Sequence, residues 1–439
     1  MRYTKELEVK YSVDVLVLGG GPAGVAAAVT AAREGADTLI IEKTGSFGGM
    51  STIGMVPELM NFDDGENFLS GGFGREVHDA LYKGCSYTRE WRMVNPESLK
   101  RLYDDLVVSS GAGFLFYTYA VDAIVEKVRV THAVVSGPSG SFAIAAKVFI
   151  DCTGTAVFSE MAGCETVFGD ENGITMPATL CSLWGNADFD RADLGMQAVH
   201  IEDAVKEGLL SNDDRLLPGM KPTFPECKVA GGNIGHAFEV NDRDAESISS
   251  AMVESRKILA EYEAYYNKYV EGFEKVKLIR SADFLGIRES RRAVCDFTLT
   301  SEYFFGKRAF YDEIGRYSYP VDIHPMREGL EAAEEFSEHL NIAHGKGESY
   351  SIPYRSLVLR DSDNLLTAGR TVGADREMTA SVRVIPGAYI TGQAAGVAAA
   401  IASREGVTTH EVDVKALQER LRAIGAYLRI GDSDYTVVR

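Results

Sequence analysis

The sequence predicts an α/β fold: a Rossmann-like domain interrupted by an inserted α+β domain. Three observations carry this. An apolar run from Val13 to Leu18, broken only by Asp14, leads into three glycines spaced G-x-G-x-x-G at Gly19, Gly21 and Gly24. An alanine- and valine-rich stretch, Val25 to Ala36, follows, and a second apolar run, Thr38 to Ile41, ends on the acidic Glu42. Near residue 351 the same small-residue texture returns after a long segment of different character.

Each part of the first unit has a physical job. The unbroken apolar run fits a parallel strand buried on both faces. The first glycine allows a sharp exit from the strand, the second lets a pyrophosphate approach the main chain, and the third lets helix and strand pack closely. Pro22 suits a first helical turn, where its missing N–H costs nothing. The free N–H groups of that turn then face the phosphates. Glu42, about 20 residues on, is placed to accept from ribose hydroxyls. Strand, glycines, helix, strand and acid in this order point to a dinucleotide.

Downstream, Gly71 to Gly74 precede a helix, and Ser98 to Ser109 reads as another, with Leu99, Leu102 and Leu106 on one face. A strand and turn follow from Phe114 to Ala123. A meander comes next, Lys127 to Val135 and Phe142 to Lys147 around Ser136-Gly137-Pro138-Ser139-Gly140. A buried strand, Val148 to Ile150, closes on Asp151-Cys152-Thr153-Gly154. Between Glu246 and Phe273, Ile248, Met252, Leu259, Tyr262, Tyr266 and Tyr269 recur at helical spacing, with Ser255 filling the gap, and read as core packing. Gly231-Gly232-Asn233-Ile234-Gly235 follows no clear strand and is discounted as a second dinucleotide motif. A short strand ends at Gly369, an alanine-rich helix begins near Pro386, and residues 412–424 form a last amphipathic helix. The expected domains are 1–175, an insertion at 176–350, and 351–439.

The chain has 439 residues and a formal charge of −19, with 45% hydrophobic and 25% charged residues. That composition suits a globular chain with a large core. Without a basic cluster, nucleic acid and anionic membrane are not expected as partners. The charged N-terminus shows no signal peptide, and the longest apolar stretch, Ala394 to Ala402, is short for a membrane span. The six cysteines, Cys85, Cys152, Cys164, Cys181, Cys227 and Cys295, are scattered without C-x-x-C. They suggest no disulfide scaffold, iron–sulfur cluster or metal site, and a cytoplasmic setting is expected.

Eight segments together resemble the FAD-dependent oxidoreductase family: GGGPAGVAAA, EKTGSFGGMST, VFIDCTGTAVFSEMAG, GIRESRR, VDIH, YSIPYRSL, NLLTAGR and SVRVIPGAYITGQAAGVAAA. They run from residue 14 to about 402. The resemblance implies a glutathione-reductase-2-like FAD-binding domain and an inserted substrate domain. It is distantly similar to the flavin subunit of heterodisulfide reductase and to succinate dehydrogenase and fumarate reductase flavoproteins. The iron–sulfur cysteines of the former are absent, and no histidine occurs before His78, so FAD is expected to be non-covalent. The resemblance implies that Gly19, Gly21, Pro22, Ala23, Gly24, Glu42, Lys43, Gly48, Gly49 and Gly154 contact FAD and that Val121 holds the adenine through its backbone. Gly369, Arg370, Arg383, Val384 and Ile385 would lie near the flavin ring, with the helix starting near Pro386 directing its dipole there.

The substrate-side candidates are Arg288, Glu289, Arg291 and Arg292 in GIRESRR, and Asp322 and His324 in VDIH. Arginine can clamp a carboxylate and histidine can exchange a proton near neutral pH. For Arg291 and Arg292, an ion-pair network holding the domain interface is an equal alternative. For Arg288 and His324, a catalytic role is favoured over a structural one. The expected activity is hydride transfer between flavin N5 and a small polar or anionic substrate, with a separate electron donor or acceptor as partner. The alternative is a flavin-carrying electron-transfer subunit without its own substrate pocket.

Overall fold

The computed structural model describes residues 4–83, 93–217, 219–340, 342–429 and 437–438; Cys85 lies outside them. The expected unit opens it: β1 (Val9–Leu18), α1 (Pro22–Arg33) and β2 (Thr38–Ile41), with β1 and β2 parallel and Val15 opposite Thr38. Helix α2 (Pro96–Ser110) is capped by the Asn95 side chain, which accepts from the N–H groups of Glu97 and Ser98. It leads into β3 (Gly113–Leu115), β4 (Tyr119–Glu126), β5 (Arg129–Gly137) and β6 (Gly140–Asp151). The sheet order is β3-β2-β1-β6-β5-β4, with the first four strands parallel and the β5–β6 and β4–β5 pairs antiparallel.

The meander's last arm and the buried strand, expected as two segments, are one 12-residue strand, β6. The change of texture at Lys147 marks a change of partner. Residues 140–145 of β6 pair with β5, while Phe149, Ile150 and Asp151 pair with Leu365, Leu366 and Thr367 of β7 (Leu365–Thr367). Asn364 closes the fork where the neighbours part: its amide donates to the Val130 and Lys147 carbonyls and accepts from the Val130 N–H. This is how the chain re-enters the first sheet after the insertion.

Helix α3 (Ile385–Glu405) is the spine of the domain and packs along α1. A Cβ on Gly392 would sit 2.2 Å from the Ala23 carbonyl oxygen, and one on Gly396 would sit 2.3 Å from that of Ala27. Only glycine permits that approach. By length and apolarity α3 could cross a membrane, but its whole apolar window is buried inside the protein. The sequence read Ala394 to Ala402 as short; the helix is longer, and it serves as core.

The expected insertion, 176–350, contains two kinds of packing. Residues from Ala178 to Leu285 build a core of their own around Trp184, joined by Met55. Its long helix, Ala245–Tyr269, buries Ser255, Leu259, Tyr262 and Tyr266 as expected, together with Ile258 and Tyr265. The glycine run at 231–232 lies inside an antiparallel strand, Val229–Asn233, which is no place for a phosphate turn. From Leu299 to Ile352 the buried residues join the first core instead. Strand Glu313–Tyr317 pairs there with Tyr350–Pro353.

Candidate cofactor and active site

The glycine loop forms a cradle. Gly19 has φ +102, and its missing Cβ clears the Cys152 carbonyl oxygen, which would lie at 2.5 Å. Gly24 packs on Gly19, where a Cβ would meet the Gly19 oxygen at 1.8 Å. A Cβ on Gly21, by contrast, would meet nothing within 4 Å. Gly21 is also the N-cap of α1 and provides no side-chain cap, so the first-turn N–H groups of Ala23 and Gly24 lack that partner. Across the opening, Gly48 donates to the Gly20 carbonyl at 2.7 Å, and a Cβ on Gly49 would come within 3.4 Å of the Gly21 Cα. Two glycine segments thus meet beside an uncapped helix N-terminus, with open space at the Gly21 Cβ position. That fits a pyrophosphate.

Glu42 is buried, with Oε2 accepting from the Gly20 N–H at 2.7 Å and Oε1 from the Thr44 N–H and hydroxyl at 2.8 and 2.7 Å. It braces the loop, and of a carboxylate's roughly four acceptor positions one remains. Lys43 is exposed, its amine 5.7 Å from the Phe284 ring centroid. At Val121 the β4–β5 ladder jumps from Ala120 to Asp122, leaving the backbone of Val121 without a ladder partner. Asp151, fully buried, binds the turn after β6: Oδ1 takes the Thr153 N–H and hydroxyl, Oδ2 those of Ser159. This fixes Gly154 at φ +72, with its carbonyl accepting from Arg370 Nε at 2.7 Å.

A cavity with about 730 Å³ of empty space lies between the two cores, lined by Met50, Val56, Met60, Thr179, Cys181, Asn233, Ile287, Arg288, Tyr319, Asp322, His324, Arg370, Arg383, Val384 and Ile385 among others. The N-terminus of α3 opens onto it, since Val384 is its N-cap and no side chain caps it. Gly369, at φ +81, holds its N–H on Thr391 Oγ1 of α3 at 3.0 Å.

Arg288 is buried, and its guanidinium meets only neutral acceptors: the Pro177 carbonyl at 2.8 Å, Thr179 Oγ1 at 2.7 Å and Asn233 Oδ1 at 3.2 Å. Burial, reinforced by Arg383, lowers it to about 10, which still leaves it charged at neutral pH. Arg370 likewise donates to two carbonyls, those of Gly154 and Ile287, and burial lowers it to about 10. Arg383 pairs with Asp322 at 3.0 Å. Asp322 also accepts from the Tyr319 hydroxyl and lies 3.3 Å from His324 Nε2. Burial would raise the Asp322 carboxyl, but the facing His324, Arg383 and Arg288 outweigh it and hold it well below the usual range.

His324 departs from the expectation of a group titrating near neutrality. Burial first, then Arg288, pushes it down to about 3, so the ring is neutral. The other charged residues of GIRESRR form ion pairs away from the cavity. Glu289, fully buried, accepts from Arg292, Arg376 and the Met176 N–H, while Arg291 pairs with Glu160. None of these three lines the cavity. Three lining residues had no sequence signal of their own: Cys181, whose thiol burial raises to about 11, Asn233 and Tyr319.

Buried neutral imidazoles carry a pH signature. His324 and His344, the latter lowered to about 4 by burial, return to their ordinary value of 6.5 on unfolding. Below that pH the unfolded chain takes up protons that the folded chain refuses. Their contribution is complete above about pH 6.5 and is lost as pH falls toward the folded values. We expect the Tm to fall between pH 7 and 5 and the fall to be shallower in His344→Asn. An unchanged slope would remove His344 from the account.

The family model described as FAD dependent oxidoreductase matches residues 14–421. Among curated proteins there is no match. Solved structures similar to the chain include a geranylgeranyl bacteriochlorophyll reductase-like protein from Thermoplasma acidophilum, 15% identical over 95% of this chain and 84% of that one, with a TM-score of 0.47. L-proline dehydrogenase from P. horikoshii is 13% identical over 94% of this chain and 99% of its own, with a TM-score of 0.45.

Proposed function

The chain belongs to the family of FAD-dependent oxidoreductases and is an enzyme that binds FAD, and from that premise we propose that it acts on a small polar or anionic molecule in the arginine-lined cavity. FAD would supply a hydride-exchanging N5 there. The residues present suit the cofactor. Gly19, Gly21, Ala23, Gly24 and Gly49 would hold the pyrophosphate on the α1 N-terminus, Val121 the adenine through its free backbone, and Glu42 a ribose hydroxyl. The uncapped start of α3, at Val384 and Ile385, would place its N–H groups and dipole where negative charge develops on reduction.

The observation that carries the substrate side is Arg288: a buried charge with no carboxylate among its bonded partners, facing a cavity. Such a cation is stabilised by an incoming anion and orients it. His324 stays neutral there, its Nε2 turned to Asp322, and adds no charge to the cavity. Val56, Met60 and Ile287 add apolar surface beside these polar groups. A cavity of this kind favours a substrate enzyme over an electron-transfer subunit, which would instead show an exposed apolar patch beside its flavin.

Anaerobic mixing with a panel of small carboxylates, hydroxy acids, amino acids and amines, read by flavin absorbance, tests the proposal. Bleaching or reoxidation by one anionic class is expected; a flavin that responds only to protein electron carriers would defeat it. The cofactor should also be non-covalent: after trichloroacetic acid precipitation the flavin is expected in the supernatant. A yellow pellet would reveal a tether.

A further inference from the structure

A second histidine, His236, packs against His324, with ring centroids 5.0 Å apart at 54°. His236 is 1% exposed and Asp214, its partner, 2%. Asp214 Oδ2 accepts from the His236 backbone N–H at 2.9 Å and lies 2.9 Å from ring Nδ1. Burial would raise the Asp214 carboxyl, but His236 outweighs it and the group stays below its ordinary value. An ionised carboxylate only accepts, so Nδ1 carries a ring proton, and on a ring with one proton Nε2 is bare. The same logic holds on the other ring. Ionised Asp322, 3.3 Å from His324 Nε2, draws the proton there and leaves Nδ1 bare. Both bare atoms, His236 Nε2 and His324 Nδ1, are buried without a hydrogen-bond partner.

Two lone pairs cannot satisfy each other, and a buried acceptor without a donor is costly. Each ring is locked at its far nitrogen by a carboxylate, so neither can turn to offer a proton. A single water has the two hydrogens that both atoms lack. We propose that one water molecule bridges His236 Nε2 and His324 Nδ1, and that His236 is thereby a positioning residue fixing His324 in the tautomer whose Nε2–H faces Asp322 at the cavity wall. The resulting chain is carboxylate, imidazole, water, imidazole, carboxylate, with every hydrogen assigned. His324 then holds Asp322 from one side while Arg383 holds it from the other. Any bearing of this on catalysis rests on the cavity being the substrate site; the water and the tautomers do not.

The test is nitrogen NMR on the holoenzyme labelled with ¹⁵N-histidine, each ring assigned by the variant that removes it, together with a high-resolution crystal structure. At pH 7 we expect His236 protonated on Nδ1 alone, His324 on Nε2 alone, and an ordered water within hydrogen-bond distance of both bare atoms. A proton on His324 Nδ1, or no water between the rings, overturns the proposal. His236→Phe should release His324 into a mixture of tautomers, and His236→Gln, whose amide oxygen can take the place of Nε2, should restore the single form. A merely structural His236 would lower the Tm in both variants and leave His324 in one tautomer. None of these readouts requires flavin turnover, so failure here is distinct from failure of the substrate reading.

Discussion

Gly21→Val is expected to give a folded, colourless protein. The backbone there, φ −66 and ψ −179, suits any residue, and the added side chain meets no protein atom within 4 Å of its Cβ position. What it fills is the open space beside the two glycine segments, at the N-terminus of α1. The fold should therefore keep its Tm as an apoprotein while FAD binds at least about a hundredfold more weakly, near 3 kcal/mol. Flavin released by denaturation and identified chromatographically, with a melting curve on the same sample, decides it. Full FAD occupancy would mean the pyrophosphate lies elsewhere. Gly24 is the informative contrast. A side chain there runs into the Gly19 carbonyl, so Gly24→Val should unfold the loop whatever the cofactor does.

The first 43 residues were legible because every part of the unit is local. An unbroken apolar strand, three glycines, a small-residue helix and a terminal acid each have one physical reading, and the structure places them as expected. Contacts that pair distant segments left no such trace. The change of texture at Lys147 does not say which strand β6 pairs with beyond its midpoint, because the residue that closes the fork, Asn364, lies more than 200 positions away. Nor does sequence texture show that residues from Leu299 to Ile352 pack on the first core; the pairing of Glu313–Tyr317 with Tyr350–Pro353 decides that.

The site divides along the same line. Arg288 and His324 stood out by residue type and were brought to one cavity. Within GIRESRR the sequence favours Arg288 for catalysis and leaves Arg291 and Arg292 evenly balanced; packing separates them. Glu289 draws Arg292 and Arg376 together inside the protein, while Arg288 turns to the cavity. Asp214 and His236, 22 residues apart, gave no signal, since a lone acid and a lone histidine are indistinguishable from solvated surface until the fold buries them.

Arg288→Met is expected to abolish most turnover while sparing the fold. Methionine follows the arginine stem as far as Nε, so the cavity loses the guanidinium's charge and donors and gains the space that group filled. A buried cation bonded only to neutral acceptors is compensated only in part, by Asp322 and Asp214 through space, and removing it relieves much of its desolvation cost. The three acceptors it leaves are a main-chain carbonyl and the cavity-lining Thr179 and Asn233, which water can reach from the cavity. FAD content and Tm should therefore change little. The transition state of an anionic substrate should lose about 2–5 kcal/mol, the range for breaking a buried charge pair. Arg288→Lys should recover part of this, as a point charge without the planar fork. The measurement is single-turnover flavin reduction with the responding metabolite from the panel, on samples matched for flavin. If Arg288 serves only to tie Pro177, Thr179 and Asn233 together, the result reverses: the Tm falls, and the folded fraction reduces its flavin at the normal rate. That outcome would move Arg288 from the substrate to the scaffold.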